Sequence, residues 1–318
     1  MRAVVYDRYG PPDVLRLEEV PMPTPAAGQV LVRVAATSVN LSDWECLRGT
    51  PLFARVGGLR VPARRTLGSD IAGHVEAVGA GVTRFRPGDE VYGDNLGLKG
   101  GFAEYAVAPE SALAAKPPEL TFGEASAIPQ SGAIALQGTA GAAPGTRVLI
   151  NGAGGGSGSF AIQVAKQAGA HVTGVDNAGK LDFMQSLGAD EVIDHRQHDY
   201  TRTDERYDII LDLVADRSVL AIRRVLADGG RYRWVGGSVS MLLRLVTAGA
   251  VTGRLTGRRL GMLVVRQGPE HFAPLADRCV AGDVDIHIHR TFRLDEVPDA
   301  LREIGEGRAL GKVVVELA

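Results

Sequence analysis

The sequence predicts an α/β chain built from a small β-barrel and a parallel sheet with helices on both faces. Three observations carry this. The first third holds short alternating strands set between turns. From near Ala115, apolar strand patterns alternate with helix patterns. Between one such strand and the next helix lies the glycine run Asn151-Gly152-Ala153-Gly154-Gly155-Gly156-Ser157-Gly158.

Taken in order, Gln29–Ala36 alternates like a half-buried strand, and Gly73–Gly79, Pro87–Gly93 and Phe102–Val107 follow as further barrel strands. Residues Thr121 to Leu136 carry helix patterns, opened by Thr121 and Glu124 in capping-box spacing. Arg147–Ile150, His171–Val175, Glu191–Ile193, Ile209–Leu213 and Arg231–Val235 read as short buried strands, with helices such as Lys180–Leu187 and Ser218–Leu226 between them. Met262–Val265 reads as the last strand of that sheet. The tail adds a helix at Glu270–Val280, a strand at Ile286–Phe292, a helix at Leu294–Glu306 and a strand at Lys312–Glu316, which would return the chain to the barrel. The division expected is residues 1–115, 116–266 and 267–318, the last piece rejoining the first.

A chain of 318 residues, 45% hydrophobic and 23% charged, is long enough for two domains with cores of their own. Its net charge of −2 gives no reason to expect nucleic acid or an anionic membrane as partner. Cys46 and Cys279 belong to no CxxC or CxxH group, so neither a disulfide framework nor a structural zinc is indicated, and a reducing cytoplasm is the expected compartment. The N-terminus reads as a strand rather than a signal peptide, and no uncharged apolar run approaches the ~18 residues of a membrane span.

The glycine run is where chemistry enters. In the register Ala153-x-Gly155-x-x-Gly158 it is one small residue away from the dinucleotide fingerprint. Glycines let a pyrophosphate approach the backbone, and the helix start offers unpaired N–H donors with partial positive charge. The contact set expected here is Ala153, Gly154, Gly155, Gly156, Ser157 and Gly158.

Several motifs over almost the whole chain resemble the medium-chain dehydrogenase/reductase superfamily, and within it the zinc-independent quinone-oxidoreductase-like branch. They are Ser38-Val39-Asn40-Leu41-Ser42-Asp43-Trp44, Leu67-Gly68-Ser69-Asp70-Ile71-Ala72-Gly73, Arg84 to Gly93, Gly101-Phe102-Ala103-Glu104-Tyr105, Leu187 to Asp194 and Gly311-Lys312-Val313-Val314-Val315. The resemblance implies a Rossmann-type parallel-sheet cofactor domain plus a GroES-like β-barrel catalytic domain. It implies a nicotinamide coenzyme, a small-molecule substrate and a homodimer formed through the strand at Met262–Val265.

Zinc alcohol dehydrogenases share that fold. Motif by motif, their three catalytic ligand positions fall here at Asn40, Ser69 and Gln130. Amide and hydroxyl oxygens do not make a tight zinc site, whereas thiolate and imidazole do. The four-cysteine structural lobe is missing as well, so the expectation is an enzyme without zinc or other metal. His287 and His289 would share one strand face; with no third ligand they read as packed or surface histidines.

By the same resemblance, the second strand of the cofactor sheet ends beside the adenosine ribose, at Asp176, Asn177 and Lys180. A carboxylate at Asp176 favours NADH by binding ribose hydroxyls and repelling a 2′-phosphate. Lys180 favours NADPH by pairing with that phosphate, and the choice between NADPH and NADH stays open. Asp176 has the alternative of capping the next helix. His195, Leu213 and Val214 are placed near the adenosine, and Gly236 and Gly237 near the nicotinamide. Lys312 either lies near the cleft or is a surface charge.

The implied reaction is hydride transfer to a quinone or an α,β-unsaturated carbonyl, with a carbonyl reductase or alcohol dehydrogenase, or a weakly catalytic coenzyme-binding sensor, as alternatives. Without a metal, hydrogen-bond donors must hold the developing oxyanion. The candidates are Asn40, Ser42, Asp43 and Gln130, with Ser69 and Asp70 beside them. Asp43 and Asp70 have the alternative role of bracing loops. Where some relatives place a tyrosine, five residues past the asparagine, this chain has Glu45. Where a threonine is usual it has Ile134. The arginine-rich segment Arg244–Arg259 reads as a solvated helix face or as a lid.

Overall fold

The computed structural model describes residues 1–55, 58–235 and 257–317. The chain divides into two compact units: Met1–Ala133 with Arg266–Gly282 and Ile286–Ala318, and Ile134–Val265 with Asp283–Asp285.

In the first unit β1 (Arg2–Val5) pairs with β2 (Arg16–Glu19) as a small antiparallel ribbon. The spine is β3 (Gln29–Val39), which runs into α1 (Leu41–Arg48). Antiparallel to β3 lies β4 (Asp70–Val78), followed by β5 (Glu90–Asp94) on the outer edge of β4. The other edge of β3 takes β6 (Tyr105–Pro109) along its first half, and β7 (Leu113–Ala115) pairs with β5. Val30, Val32 and Val34 pack with Val75, Val91, Ala106, Ala108 and Leu113 in one core cluster. The second half of β3 is buried on both faces rather than half-buried, because Ala36 meets Ala127 of α2 (Phe122–Ala127). Thr121 opens α2 as expected: its Oγ1 accepts the Glu124 N–H at 3.2 Å while Glu124 Oε2 accepts the Thr121 N–H at 2.8 Å. Since α2 packs on β3 and β4, the first unit runs past residue 115 to Ala133, inside α3 (Pro129–Gly138).

The second unit is a six-stranded, all-parallel sheet. In chain order it holds β8 (Arg147–Asn151), α4 (Gly156–Gln167), β9 (His171–Asp176), α5 (Leu181–Ser186), β10 (Glu191–Asp194), β11 (Tyr207–Asp212), α6 (Val219–Val225), β12 (Leu226–Trp234) and β13 (Arg259–Met262). In space the order is β10-β9-β8-β11-β12-β13. Strand order reverses beside β8, and outside the carboxyl ends of strands at such a point lies the ligand crevice of open parallel sheets. Val148, Leu149 and Ile150 are fully buried, as a strand covered on both faces requires. The last strand falls earlier than Met262–Val265: Arg231 to Trp234 of β12 pair with Arg259 to Met262. Among the described residues β12 ends at Trp234 and the pairing with it ends at Met262, and Val264 is 71% exposed.

The tail returns to the first unit as α7 (Pro269–Val280), β14 (Ile288–Arg293), α8 (Val297–Gly305) and β15 (Lys312–Glu316). Strand β15 lies antiparallel to the second half of β3, from Val39↔Val313 to Ala36↔Glu316. Its partner β14 is parallel to it, so the first unit's sheet is not purely antiparallel. Spacing along α8 explains its packing. Val297, Ala300 and Leu301 share one face, are all fully buried, and meet Val39, Leu47, Val313 and Val315.

Candidate active site

The glycine turn of the second unit sits at the carboxyl ends of β8 and β9. Gly152 adopts φ +85°, a left-handed conformation that favours glycine, and its N–H and that of Ala153 both donate to Val175 O, at 2.9 and 3.1 Å. Helix α4 then starts at Gly156, with Gly155 at its N-cap and no side chain capping it. The first-turn N–H groups therefore face outward without an intrahelical acceptor. A Cβ on Gly155 would meet nothing nearer than Gly152 O at 3.5 Å, so the space in front of the helix start is open. Gly158 is different: a Cβ there would lie 2.4 Å from Gly152 O and 2.6 Å from Ala153 Cα, so this glycine lets helix and turn touch.

Asp176 at the end of β9 is engaged by its own chain. Oδ2 accepts the Gly154 N–H at 3.0 Å and lies 3.6 Å from Lys180 Nζ; Oδ1 accepts the Asn177 N–H at 2.9 Å and Asn177 Nδ2 at 3.1 Å. It does not cap the following helical turn. Asn177 does, its side chain accepting the Gly179 N–H at 3.1 Å. Lys180 is buried, its ammonium turned to Asp176, so the two residues read as opposing coenzyme selectors form one ion pair. The His195 N–H donates to Asp176 O at 3.0 Å. Leu213 and Val214 begin a loop that sequence reasoning did not explain. The buried Asp212 carboxylate anchors it, accepting Val214 N (3.1 Å), Ala215 N (2.7 Å), Asn151 Nδ2 (2.8 Å) and Tyr232 OH (2.9 Å). Gly236, Gly237 and most of Arg244–Arg259 lie outside the described residues.

In the first unit, six polar residues singled out from the motifs meet where β3 passes into α1. Asn40 precedes α1, and its backbone N–H donates to Asp43 Oδ2 at 3.0 Å. Its side-chain Nδ2 donates to Asp70 Oδ2 at 2.9 Å and reaches Ser69 Oγ at 3.4 Å. Gln130 Nε2 also reaches Ser69 Oγ at 3.4 Å, so the residues at the three zinc-ligand positions converge on one hydroxyl. Ser42 Oγ donates to Gln130 Oε1 at 3.0 Å.

Asp43 and Asp70 are 0% exposed, and the geometry gives both of them bracing bonds. Asp43 Oδ1 accepts the Gly68 N–H at 3.1 Å and Lys99 Nζ at 3.4 Å. Asp70 accepts Ser38 Oγ at 3.1 Å and the Gln130 N–H at 3.1 Å in addition to Asn40. Lys312 is not a surface charge. It is 1% exposed, donates to Asn40 Oδ1 and Ser131 Oγ, both at 2.9 Å, and lies 3.8 Å from Asp70 Oδ2.

Lys99, Asp94 and Ser131 were not found from the sequence. The one local signal is glycine around Lys99, which adopts φ +57°; Asn95 Nδ2 pins its loop by donating to Lys99 O at 2.7 Å. Three buried carboxyls, Asp43, Asp70 and Asp94, thus face two buried ammonium groups, Lys99 and Lys312. Burial and the neighbouring Asp70 charge push the Asp94 carboxyl up to about 8. Among the described residues Asp94 receives only the Leu96 N–H (3.0 Å), so it is the carboxyl that keeps a proton, while the better-bonded Asp70 is the one that ionises. Burial draws Lys312 below the usual lysine range, against the pull of Asp70 and Asp43. Among the described residues, no three His, Cys, Asp or Glu are grouped to hold a metal ion.

A parallel sheet with this turn, joined to a GroES-like unit whose tail strand completes it, defines the medium-chain dehydrogenase/reductase class. Residues 26–118 match the alcohol dehydrogenase GroES-like domain family, and residues 187–315 match the family described as zinc-binding dehydrogenase. A chloroplastic quinone oxidoreductase of Triphysaria versicolor is 33% identical over 99% of this chain and 98% of its own. A 2-methylene-furan-3-one reductase of Solanum lycopersicum is 34% identical over 99% of this chain and 79% of its own. The solved quinone oxidoreductase of Coxiella burnetii superposes with a TM-score of 0.90 at 28% identity, covering 100% of this chain and 99% of the other. The chain belongs to the quinone-oxidoreductase branch of the medium-chain dehydrogenase/reductase superfamily, and it is an oxidoreductase.

Proposed function

We propose that this protein reduces an α,β-unsaturated carbonyl or a quinone with NADH or NADPH, and does so without a metal. The observation that carries the reading is the set Asn40, Ser69 and Gln130. Neutral amides and a hydroxyl stand where zinc would need thiolate and imidazole, and they are bonded to one another and to Ser42. The sequence similarity to a quinone oxidoreductase and to an enone reductase supports the substrate class.

The open glycine turn fits a dinucleotide. Gly156, Ser157 and Gly158 would hold its pyrophosphate on their N–H groups, with Gly155 leaving room for it, while Gly154 lets the Lys180 side chain pass close to the turn. When bound, the coenzyme supplies the hydride. Asn40 is held in one orientation because Lys312 donates to its Oδ1, which aims Nδ2 at Ser69 and Asp70. Ser42 and Gln130, both half-buried, are the donors for the acceptor oxygen of the substrate: the Ser42 hydroxyl rotates from Gln130 Oε1 toward it, and Gln130 Nε2 turns from Ser69. Asp43 and Asp70 keep these donors in place.

The same reading includes a homodimer formed along the exposed edge of β13 and a cytoplasmic setting, the latter suggested by two cysteines that form no disulfide. The test is coenzyme oxidation by the purified protein, with NADH and with NADPH, against a short enone, a benzoquinone and an aldehyde, each with and without a chelator. Turnover of enone or quinone at an unchanged rate under chelation is expected. Turnover of the aldehyde alone, or loss of activity under chelation, overturns the reading.

A further inference from the structure

Hydride addition to an alkene is half of a reduction; the other half is a proton. The residues assigned above hold an oxygen, and none is a source of protons. Asp43 and Asp70 are sealed and fully bonded, and Asp94, though protonated, is 8% exposed. The remaining carboxyl of this region is Glu45.

Glu45 lies three residues after Ser42 in α1, which puts the two on one helix face. Asp43 and Leu47, on the opposite side, are 0% exposed and bonded or packed inward. Glu45 is half-buried. Its backbone carbonyl accepts the Thr50 N–H at 3.2 Å, whereas its carboxyl makes no hydrogen bond or ion pair among the described residues. A glutamate serving only helix solubility would sit in water or beside a cation. Burial without a partner raises this carboxyl to about 7, so that it holds its proton near neutrality.

We propose that Glu45 is the general acid of the reaction, delivering the proton to the α-carbon of the reduced alkene. The inference rests on the proposed function. The hydride and its electron pair, from the reduced nicotinamide coenzyme, form the C–H bond at the β-carbon, and the π pair moves onto the substrate oxygen. That enolate pair then folds back, the Glu45 O–H bond breaks, and a C–H bond forms at the α-carbon. The substrate is reduced and the coenzyme oxidised by two electrons. The glutamate is left as a carboxylate and regains its proton from water.

The test uses an enone with an α-methyl group, turned over in D2O by the whole protein. The wild type is expected to place deuterium at the α-carbon with one configuration. Glu45→Gln is expected to lower kcat by about 10²-fold, with KM changed far less, and to give both α-configurations, because bulk water then delivers the proton. Glu45→Asp is expected to keep the single configuration at an intermediate rate. Unchanged coenzyme binding and melting temperature in Glu45→Gln separate this from misfolding, and if that variant does not fold, the configuration given by Glu45→Asp decides. Wild-type rate with one configuration in Glu45→Gln, or both configurations from wild type or Glu45→Asp, overturns the inference and leaves the proposed function standing. Failure of the wild type to reduce any enone or quinone overturns both.

Discussion

Asp94 stands opposite Asp70 in the β4–β5 register, and the Asp70 charge helps to keep the Asp94 carboxyl protonated. Its raised pKa fixes the sign of a stability effect. In the unfolded chain an aspartate titrates near ~3.9, while in the fold Asp94 titrates at about 8. The folded state thus binds the proton more tightly, and stability from this residue is fully present below the unfolded value and lost as pH rises through the folded one. Asp94→Asn removes the titration. The melting temperature of the variant relative to wild type is expected to rise between pH 6 and pH 8.5, by on the order of a few degrees. A difference that does not change with pH would show that the proton sits elsewhere. At this same scale the limits of the sequence are physical. Asn40, Ser42 and Ser69 were legible because each lies in a short local motif. Lys312 was not, because it reaches Asn40 across 272 positions, and nothing in Gly311-Lys312-Val313 distinguishes a buried ammonium from a surface one.

At the level of elements, the glycine turn and α4 act as one piece. Gly158→Ala would push a methyl into the Gly152 carbonyl, where backbone rather than a flexible side chain must yield. The expected cost is about 1–3 kcal/mol in a denaturant titration, together with weaker NADH and NADPH binding by calorimetry. Full stability with full affinity would mean that the helix start does not touch the turn. The strands of this unit were legible because apolar runs such as Val148-Leu149-Ile150 have one stable use, a strand covered on both faces. The limits of β13 were not legible, since they are set by where β12 ends. Nor was the sharing of β3 between β6 and β15, since periodicity says which face is buried and not which strand lies alongside.

For the whole molecule, β13 is the edge to account for, since it ends the parallel sheet among the described residues. Leu260 is half-buried and Met262 is 48% exposed, and an apolar edge strand of this kind is a template for pairing. Wild type is expected to sediment as a dimer and Met262→Lys to shift toward monomer at micromolar concentration; a monomeric wild type would remove the edge-pairing proposal. The division into units was partly legible. The change of rhythm near Ala115 marks where helices begin, but α2 still packs on the first unit, so the compact boundary lies later.

The tie between Lys312 and Asn40 also sets an order in time. A ribosome makes β3 and the Asn40 turn early, and then the entire parallel sheet with its glycine turn. Only afterwards does it add the strand carrying the ammonium that Asn40 and Asp70 share. Until that strand emerges, Asp70 is a carboxylate with no lysine beside it and β3 keeps an uncovered half-edge. The nascent chain can therefore complete its glycine turn well before the polar centre at Asn40, which is among the last parts of the protein to be finished.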